Sequence, residues 1–108
     1  MIVRVWRGRT PVAAYDRYLE YLRQTGVEAL RATPGNRGVQ VLRRRDGDVA
    51  EFIVASRWES MEVIKGFAGA DYERAVYYPE DASYLMEMEP TVRHYEVAVD
   101  LPPAAGSS

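Results

Sequence analysis

The side chain best suited to acid–base chemistry is the single histidine of the chain, His94. It is flanked by Arg93, Tyr95 and Glu96, and an imidazole among such groups can be tuned to take or give a proton near neutral pH. Two interpretations stay open at this point. His94 is either a catalytic acid or base, or a histidine of the core or of an interface that makes one hydrogen bond.

A second group of residues consists of aromatic side chains that the predicted elements bring to one layer. Phe52 and Trp58 share one parity of a predicted strand, so their side chains lie on the same side of it. The other members come from a predicted helix and from a later segment, and they are Tyr15, Tyr18, Tyr72 and Tyr77. Aromatic walls with a few hydroxyls suit a pocket for a flat, partly polar ligand. The alternative is that Trp58 is an ordinary core residue.

Composition removes several classes of function. The chain has no cysteine and one histidine, which excludes disulfides, thiolate chemistry and metal sites built from several histidines. Its net charge of −2 provides no positive field for nucleic acid or for an anionic membrane. No run of residues is long and apolar enough for a signal peptide or a membrane span. We therefore expect a cytoplasmic protein without nucleic-acid or membrane partners.

The remaining charged and glycine-rich motifs indicate little chemistry. The acidic pairs Glu80-Asp81 and Glu87/Glu89 are interpreted as solvated loop charges. Gly35-Asn36-Arg37-Gly38 follows a predicted helix and lacks the Lys-Ser/Thr ending of a phosphate-binding loop. The run Arg43-Arg44-Arg45 is interpreted as a solvated strand end in which alternation points the middle arginine away from its neighbours.

The elements that must position these residues can be read in chain order. A strand is predicted from Ile2 to Gly8, and Thr10-Pro11 is expected to open a helix that runs to about Ala32 with a bend near Gly26. Thr33-Pro34-Gly35-Asn36 ends that helix. The Asp46-Gly47-Asp48 turn then predicts an antiparallel hairpin, with strands over 39–45 and 49–58.

The second half of the chain is less regular. Ser60 is expected to cap a short helix that carries Met61, Ile64 and Phe67 and ends at Gly69. Residues 71–89 predict broken helical turns that cover some other part of the molecule. A last strand is predicted over 92–100, and residues 101–108 are expected to form a flexible tail. We thus predict one domain over residues 1–100.

The predicted order β-α-β-β-α-β is that of an α+β, ferredoxin-like fold with a four-stranded antiparallel sheet and both helices on one face. Runs such as Val3-Arg4-Val5-Trp6 and Phe52-Ile53-Val54-Ala55 place apolar groups on both faces of the sheet. Because the helices can cover one face only, the other is predicted to pack on a second copy of the chain in a homodimer. The alternative is that the tail or residues 71–89 cover that face.

The residues resemble those of the antibiotic biosynthesis monooxygenase-like branch of the dimeric α/β-barrel superfamily. The resemblance rests on Trp58-Glu59-Ser60 at the strand-to-helix junction and on the helix end Phe67-Ala68-Gly69. Residues 32–38, 77–81 and 94–97 add to it, so that it spans about residues 2–100. It implies a homodimeric barrel with a pocket between sheet and helices in each subunit, and Trp58 matches the pocket tryptophan of the family.

The resemblance also bears on cofactors. Members of the haem-degrading branch use a histidine on the second helical segment and an asparagine on the first strand. The corresponding stretches here are Tyr72-Glu73-Arg74-Ala75-Val76 and Arg4-Val5-Trp6-Arg7, which contain neither residue. We therefore expect no haem and no other cofactor, although His94 could offer an iron ligand from elsewhere in the fold.

Family members without a cofactor imply a monooxygenase that oxidises a small aromatic, polycyclic or quinol-like substrate with O₂. In that scheme His94 is the base or charge stabiliser, and Trp58 and Trp6 are pocket walls. The hydroxyl of Tyr72 or Tyr77 donates a hydrogen bond to the substrate. Arg4 shares the parity of Trp6 and could pair with an enolate. The other predicted substrate contacts are Tyr18, Phe52 and Phe67. A non-catalytic dimeric binding protein and an isomerase or cyclase of the same fold remain alternatives.

Overall fold

A computed structural model describes residues 1–105 of the chain. The sheet contains strands β1 (Ile2–Pro11), β2 (Asn36–Asp46), β3 (Val49–Trp58) and β4 (Arg93–Glu96). Its order is β2-β3-β1-β4, and all the pairings are antiparallel. This is the predicted α+β, ferredoxin-like arrangement with a four-stranded antiparallel sheet.

The first helical stretch consists of several pieces. A short 3₁₀ turn (Val12–Ala14) leads into α1 (Tyr15–Leu22), a π-helical turn covers Arg23–Val27, and α2 (Glu28–Arg31) completes the stretch. The irregularity predicted near Gly26 takes the form of a π-helical turn, which inserts one extra residue into the helix.

The hairpin and the helix after it follow the local signals of the sequence. Gly47 takes a positive φ of 61° in the turn between β2 and β3. Ser60 is the N-cap of α3 (Met61–Ala68), where its hydroxyl accepts a hydrogen bond from the Val63 amide at 3.3 Å. Gly69, with φ of 81°, ends the helix as predicted.

Three predicted strand boundaries are wrong, and one of them is the start of β2, which lies at Asn36 and not at residue 39. β1 does not stop at Gly8 but continues to Pro11, because each of its residues up to that point pairs with β3. Thr10 and Pro11 are therefore strand residues, and the helical stretch begins only at Val12. β4 ends at Glu96 rather than near residue 100, because its register places Glu96 opposite Ile2, at the beginning of β1.

The hydrophobic core lies between the helices and one face of the sheet. All the sheet residues of the core have their side chains on the same face of the sheet. They are Ile2, Trp6, Val39, Val41, Ala50, Phe52, Val54 and Trp58. Tyr18 of α1 and Ile64 of α3 pack onto this face and are fully buried. The side chains on the other face of the sheet, which include Val5 and Ile53, point away from the helices.

Residues 71–92 form the broken segment that the sequence predicts, with a single short helix, α4 (Asp81–Tyr84). The segment packs on the helix side of the sheet, where Tyr77 meets Trp6 and Asp81 meets Tyr18. Apart from Glu87, which bonds Arg9 at the sheet edge, the segment leaves the opposite face open, so the alternative that residues 71–89 cover this face is wrong, while the alternative that the tail covers it stays open.

Residues 101–105 are exposed and have no helix or strand, while the rest of the predicted flexible tail, residues 106–108, lies outside the described residues. Within the described part of the chain, no helix has both the length and the apolar character needed to cross a membrane.

Candidate functional site

A small cleft with a volume of about 60 Å³ lies between the sheet, the first helical stretch and the segment 71–92. β1 supplies Arg4 and Trp6, and α1 supplies Tyr18. The later segment supplies Tyr77 and Asp81. The other lining residues are Leu22, Thr25, Gly26, Val27, Leu30, Val54, Val76 and Tyr78. Four of the predicted substrate contacts therefore meet in one place.

Trp6 is the central wall of this cleft. Its ring centroid lies 6.4 Å from that of Tyr18 and 6.2 Å from that of Tyr77, the latter edge to face. Its Nε1 donates a hydrogen bond to the Tyr77 hydroxyl at 3.3 Å. Gly8 makes this position possible, because a Cβ there would lie 2.3 Å from Cη2 of Trp6. Gly8 thus provides room for the indole and does not end the strand.

The hydroxyls of the cleft are already hydrogen-bonded within the chain. Tyr18 donates to Oδ1 of Asp81 at 2.8 Å, and Tyr77 donates to the Glu89 carbonyl at 2.5 Å. Burial raises the pKa of Tyr18 and the pKa of Tyr77 above the usual tyrosine range, and for Tyr18 the bond to Asp81 adds to the effect. Both tyrosines are therefore neutral phenols at neutral pH.

Asp81 corrects a prediction from the sequence. The pair Glu80-Asp81 was expected to be solvated, but Asp81 is only 4% exposed. Its Oδ2 accepts a bond from the backbone amide of Tyr78 at 2.6 Å, in addition to the bond from Tyr18. The local signal for this role is the spacing Tyr78-Pro79-Glu80-Asp81, in which an acidic side chain can close a turn onto an amide three residues earlier.

Arg4 is the cationic group of the cleft. It is 6% exposed, its Nη2 donates to the Arg74 carbonyl at 3.1 Å, and its Nε is buried without a partner. The guanidinium carbon lies 5.8 Å from the centroid of the Phe67 ring. Desolvation lowers the pKa of Arg4 from its usual value, although arginine stays protonated in proteins.

His94 and Tyr72 form a neighbouring pair outside the lining of the cleft. His94 is the cross-strand partner of Arg4, so both side chains lie on the same face of the sheet. The ring of Tyr72 lies 5.7 Å from the imidazole. Burial, with a smaller contribution from the Arg4 charge, lowers the pKa of His94 below 6.5. His94 is therefore neutral at pH 7, and its Nε2 is buried without a hydrogen bond.

The remaining predicted site residues lie in the core next to the cleft. Trp58 and Phe52 are fully buried. Nε1 of Trp58 donates to the Ser56 hydroxyl at 2.9 Å, and its ring packs 5.4 Å from that of Phe67. Phe52 meets Tyr18 edge to face at 5.1 Å. These contacts support the aromatic wall from behind.

Comparison with known proteins identifies a family. The family model described as antibiotic biosynthesis monooxygenase matches residues 1–77. No curated protein matches the sequence. The solved structures that match include a proposed antibiotic biosynthesis monooxygenase from Bacillus cereus, with 18% identity and a TM-score of 0.68 over 95% of this chain and 96% of the other.

A second similar structure is MhuD, a haem degrader from Mycobacterium tuberculosis solved with two haems in its active site. It has 20% identity and a TM-score of 0.64 over 94% of this chain and all of its own. At these identities both structures show a shared fold and nothing finer.

The cleft does not suit a haem held by an axial histidine. Among the described residues that line it there is no histidine, cysteine or methionine. His94 lies on β4 beyond Arg4, and the imidazole is enclosed by Arg4 and Tyr72. No group of three or more metal-ligating side chains occurs in the described part of the chain. The described lining of the cleft thus provides no histidine, cysteine or methionine ligand for a haem iron.

Proposed function

Because the chain belongs to the antibiotic biosynthesis monooxygenase family, we propose that it is a small cofactor-independent monooxygenase, or a related tailoring enzyme. Its substrate is a small aromatic, polycyclic or quinol-like compound, and its co-substrate is O₂. The observation that carries this proposal is the cleft walled by the rings of Trp6, Tyr18 and Tyr77 between the sheet and the helices.

The reaction needs no prosthetic group, because the substrate supplies the electrons. In an anthrone-type substrate a methylene carbon loses its two hydrogens and gains one oxygen atom as a carbonyl. The second atom of O₂ leaves as water with those hydrogens. The protein has to bind the substrate, favour its deprotonated form and exclude bulk water while charge develops on oxygen. The partly exposed rings of Trp6 and Tyr77 provide the apolar surface against which such a substrate packs, with the buried ring of Tyr18 behind them.

His94 remains the residue we propose as base or charge stabiliser, because it is the one neutral imidazole on the face of the sheet that bears the cleft. A substrate that reaches it must extend past the guanidinium of Arg4. Tyr72, beside His94, is proposed to donate a hydrogen bond from its hydroxyl to the substrate. Trp58 is proposed to act from behind the wall, since it contacts Phe67 in the core and does not line the cleft.

We also propose that the working unit is a homodimer of the domain over residues 1–100, located in the cytoplasm. The face of the sheet turned away from the helices is the proposed contact surface. Its apolar members are Val3, Val5, Leu42, Ile53, Ala55 and Tyr95. Leu42 and Tyr95 are each half exposed in the single chain, as expected for a surface that a second copy covers.

Oxygen uptake tests the proposed reaction. Chelator-treated protein is mixed with a panel of anthrones and quinols, and O₂ consumption and product formation are followed together. We expect turnover by the wild type and a loss of more than about tenfold, or about 1.4 kcal/mol of barrier, in Trp6→Leu and in His94→Gln. Leu101→Ala, at a side chain that is 80% exposed, is the control that keeps full activity.

A non-catalytic binding protein is the second candidate, and one observation favours it. The hydroxyls of Tyr18 and Tyr77 are both committed to acceptors inside the chain, so neither offers a free proton to a ligand. Binding of the panel by folded protein without O₂ consumption would establish this candidate. Product formation without O₂ consumption would instead indicate an isomerase or cyclase.

A further inference from the structure

Arg4 is the most buried arginine of the described residues, and it has no carboxylate partner. In the described residues, arginines that form ion pairs with aspartate or glutamate are Arg7, Arg9, Arg31, Arg37, Arg43, Arg44 and Arg57. Their side chains are all more exposed than that of Arg4. The most buried arginine is thus bonded only to a backbone carbonyl, that of Arg74.

A buried charge without a counter-ion is costly, and such charges in proteins are normally paired. The carbonyl of Arg74 satisfies one N–H group, while the buried Nε–H has no acceptor. An anion bound in the cleft beside this guanidinium would supply the missing negative charge. Bonds of this kind, in which both partners are charged, are about twice as strong as neutral ones.

The groups around Arg4 leave this role to a ligand. Asp81 lines the same cleft, but the hydrogen-bond partners of its two carboxylate oxygens are the Tyr18 hydroxyl and the Tyr78 amide and not Arg4. His94, on the neighbouring strand, is neutral and provides no negative charge. Within the described part of the chain, no acidic side chain forms an ion pair with Arg4.

We propose that the cleft selects substrates that are already anions, with the acidic group of the ligand held by the guanidinium of Arg4 and its aromatic rings against Trp6. The inference rests on the proposed function, because it concerns the substrate class of the same cleft. The preferred ligands are therefore aromatic carboxylates and acidic phenols, and neutral or cationic aromatics of the same shape bind weakly.

Arg4 and Trp6 are two positions apart on β1, point to the same face of the sheet and line the same cleft. A ligand that carries its acidic group on a fused ring system can thus contact both side chains.

Three probes that share a naphthalene ring, have similar size and differ in charge test the inference. 2-Naphthoate, 2-naphthalenemethanol and 2-naphthylmethylammonium are titrated into the full chain by calorimetry, without any requirement for turnover. We expect 2-naphthoate to bind at least about tenfold more tightly than the alcohol, and the ammonium to bind most weakly. Equal affinity of the wild type for the three probes would overturn the inference, and this comparison needs no variant.

Substitutions then assign the preference to Arg4. Arg4→Met is expected to remove it, and Arg4→Lys to keep part of it because the charge remains. Arg17→Met removes one positive charge from an exposed position of α1 and is the matched control, expected to keep the full preference. A preference that persists in folded Arg4→Met would also overturn the inference.

The outcomes separate this inference from the proposed function. Binding of all three probes with equal affinity overturns the charge selection and leaves the aromatic cleft in place. Selective binding of 2-naphthoate by a protein that consumes no O₂ supports the charge selection and removes the oxygenase. If none of the probes binds below about 1 mM, both proposals fail.

Discussion

Tyr18 and Asp81 join two distant parts of the chain through one buried hydrogen bond. The phenol of α1 donates to the carboxylate that begins α4, across 63 residues of sequence. The same carboxylate accepts the Tyr78 amide and so fixes the turn before α4. At the scale of single residues this network holds the segment 71–92 over the cleft.

Removal of the Tyr18 hydroxyl should therefore destabilise the fold. Tyr18→Phe leaves a buried carboxylate oxygen without its donor, and we expect the free energy of unfolding to fall by about 1–3 kcal/mol. Urea denaturation measures the change. Tyr15→Phe is the control, since Tyr15 is half-buried and its ring contacts Arg43 and Arg45 through its face. An equal change in the two variants would contradict a special role for the bond to Asp81.

His94 gives the stability a defined pH dependence. Burial and the charge of Arg4 lower the pKa of His94 in the folded state, while Glu73 acts in the opposite direction. Below the unfolded-state value of about 6.5 the unfolded chain binds a proton that the folded chain does not. The contribution of His94 is thus full above pH 6.5 and is lost as the pH falls toward the folded-state pKa.

We expect the free energy of unfolding of the wild type to decrease between pH 7.5 and pH 5.5 more steeply than that of His94→Gln. Urea denaturation at several pH values measures both slopes, and other titrating groups cancel in the difference. Parallel slopes would show that His94 titrates normally in the folded state.

At the scale of elements, the π turn Arg23–Val27 shapes the mouth of the cleft. Thr25, Gly26 and Val27 all line it. A Cβ at Gly26 would meet Cε2 of Tyr78 at 3.8 Å, an ordinary contact that fills space at the mouth. The turn therefore provides an opening where a regular helix with larger side chains would narrow it.

Two glycine substitutions distinguish an effect on helix stability from an effect on the access of a ligand to the cleft. Gly26→Ala and Gly66→Ala both lie in helical segments, and each should raise the free energy of unfolding by about 0.5–1 kcal/mol. Gly66 is exposed on α3, with nothing within 4 Å of an added Cβ. We expect only Gly26→Ala to weaken ligand binding in a titration. Weaker binding in both variants, or in neither, would contradict the role given to the turn.

At the scale of the whole molecule, the sheet has one covered face and one open face. The open face combines apolar side chains such as Val5 and Ile53 with an ion cluster in which Arg7 and Arg44 bind Glu51. Hydrogen bonds from the two arginines lower the pKa of Glu51, and the larger effect comes from Arg44. This carboxylate therefore stays charged at neutral pH. An apolar centre with a charged cluster beside it suits association in one orientation.

Ile53→Glu should disrupt the proposed homodimer. The substitution places a charged side chain in the middle of the open face, where a partner would desolvate it and where its cross-strand neighbour Arg7 is already paired with Glu51. Sedimentation at micromolar concentration should show the wild type as a dimer and the variant as a single 12.3 kDa chain. Met88→Glu, on the segment 71–92, is the matched control and should remain dimeric. A wild type that sediments as a monomer would contradict the proposed assembly.

The amino-acid sequence by itself determined the features that depend on neighbours along the chain. The hairpin at Gly47, the cap at Ser60 and the end of α3 at Gly69 were predicted correctly, because turns and caps are set by a few adjacent residues. Strand parity likewise placed Arg4 and Trp6 on one face. The order of the elements was sufficient for the α+β, ferredoxin-like topology.

The tertiary structure alone decided the features that depend on distant partners. The ends of β1 and β4 are set by the strands with which they pair, which a local pattern does not reveal. Asp81 is buried because Tyr18 and Tyr78 satisfy it, and Arg4 and Tyr77 line one cleft because the segment 71–92 folds back over β1. Burial is a property of the assembled layers, so the character of a charged side chain becomes visible only when those layers are packed.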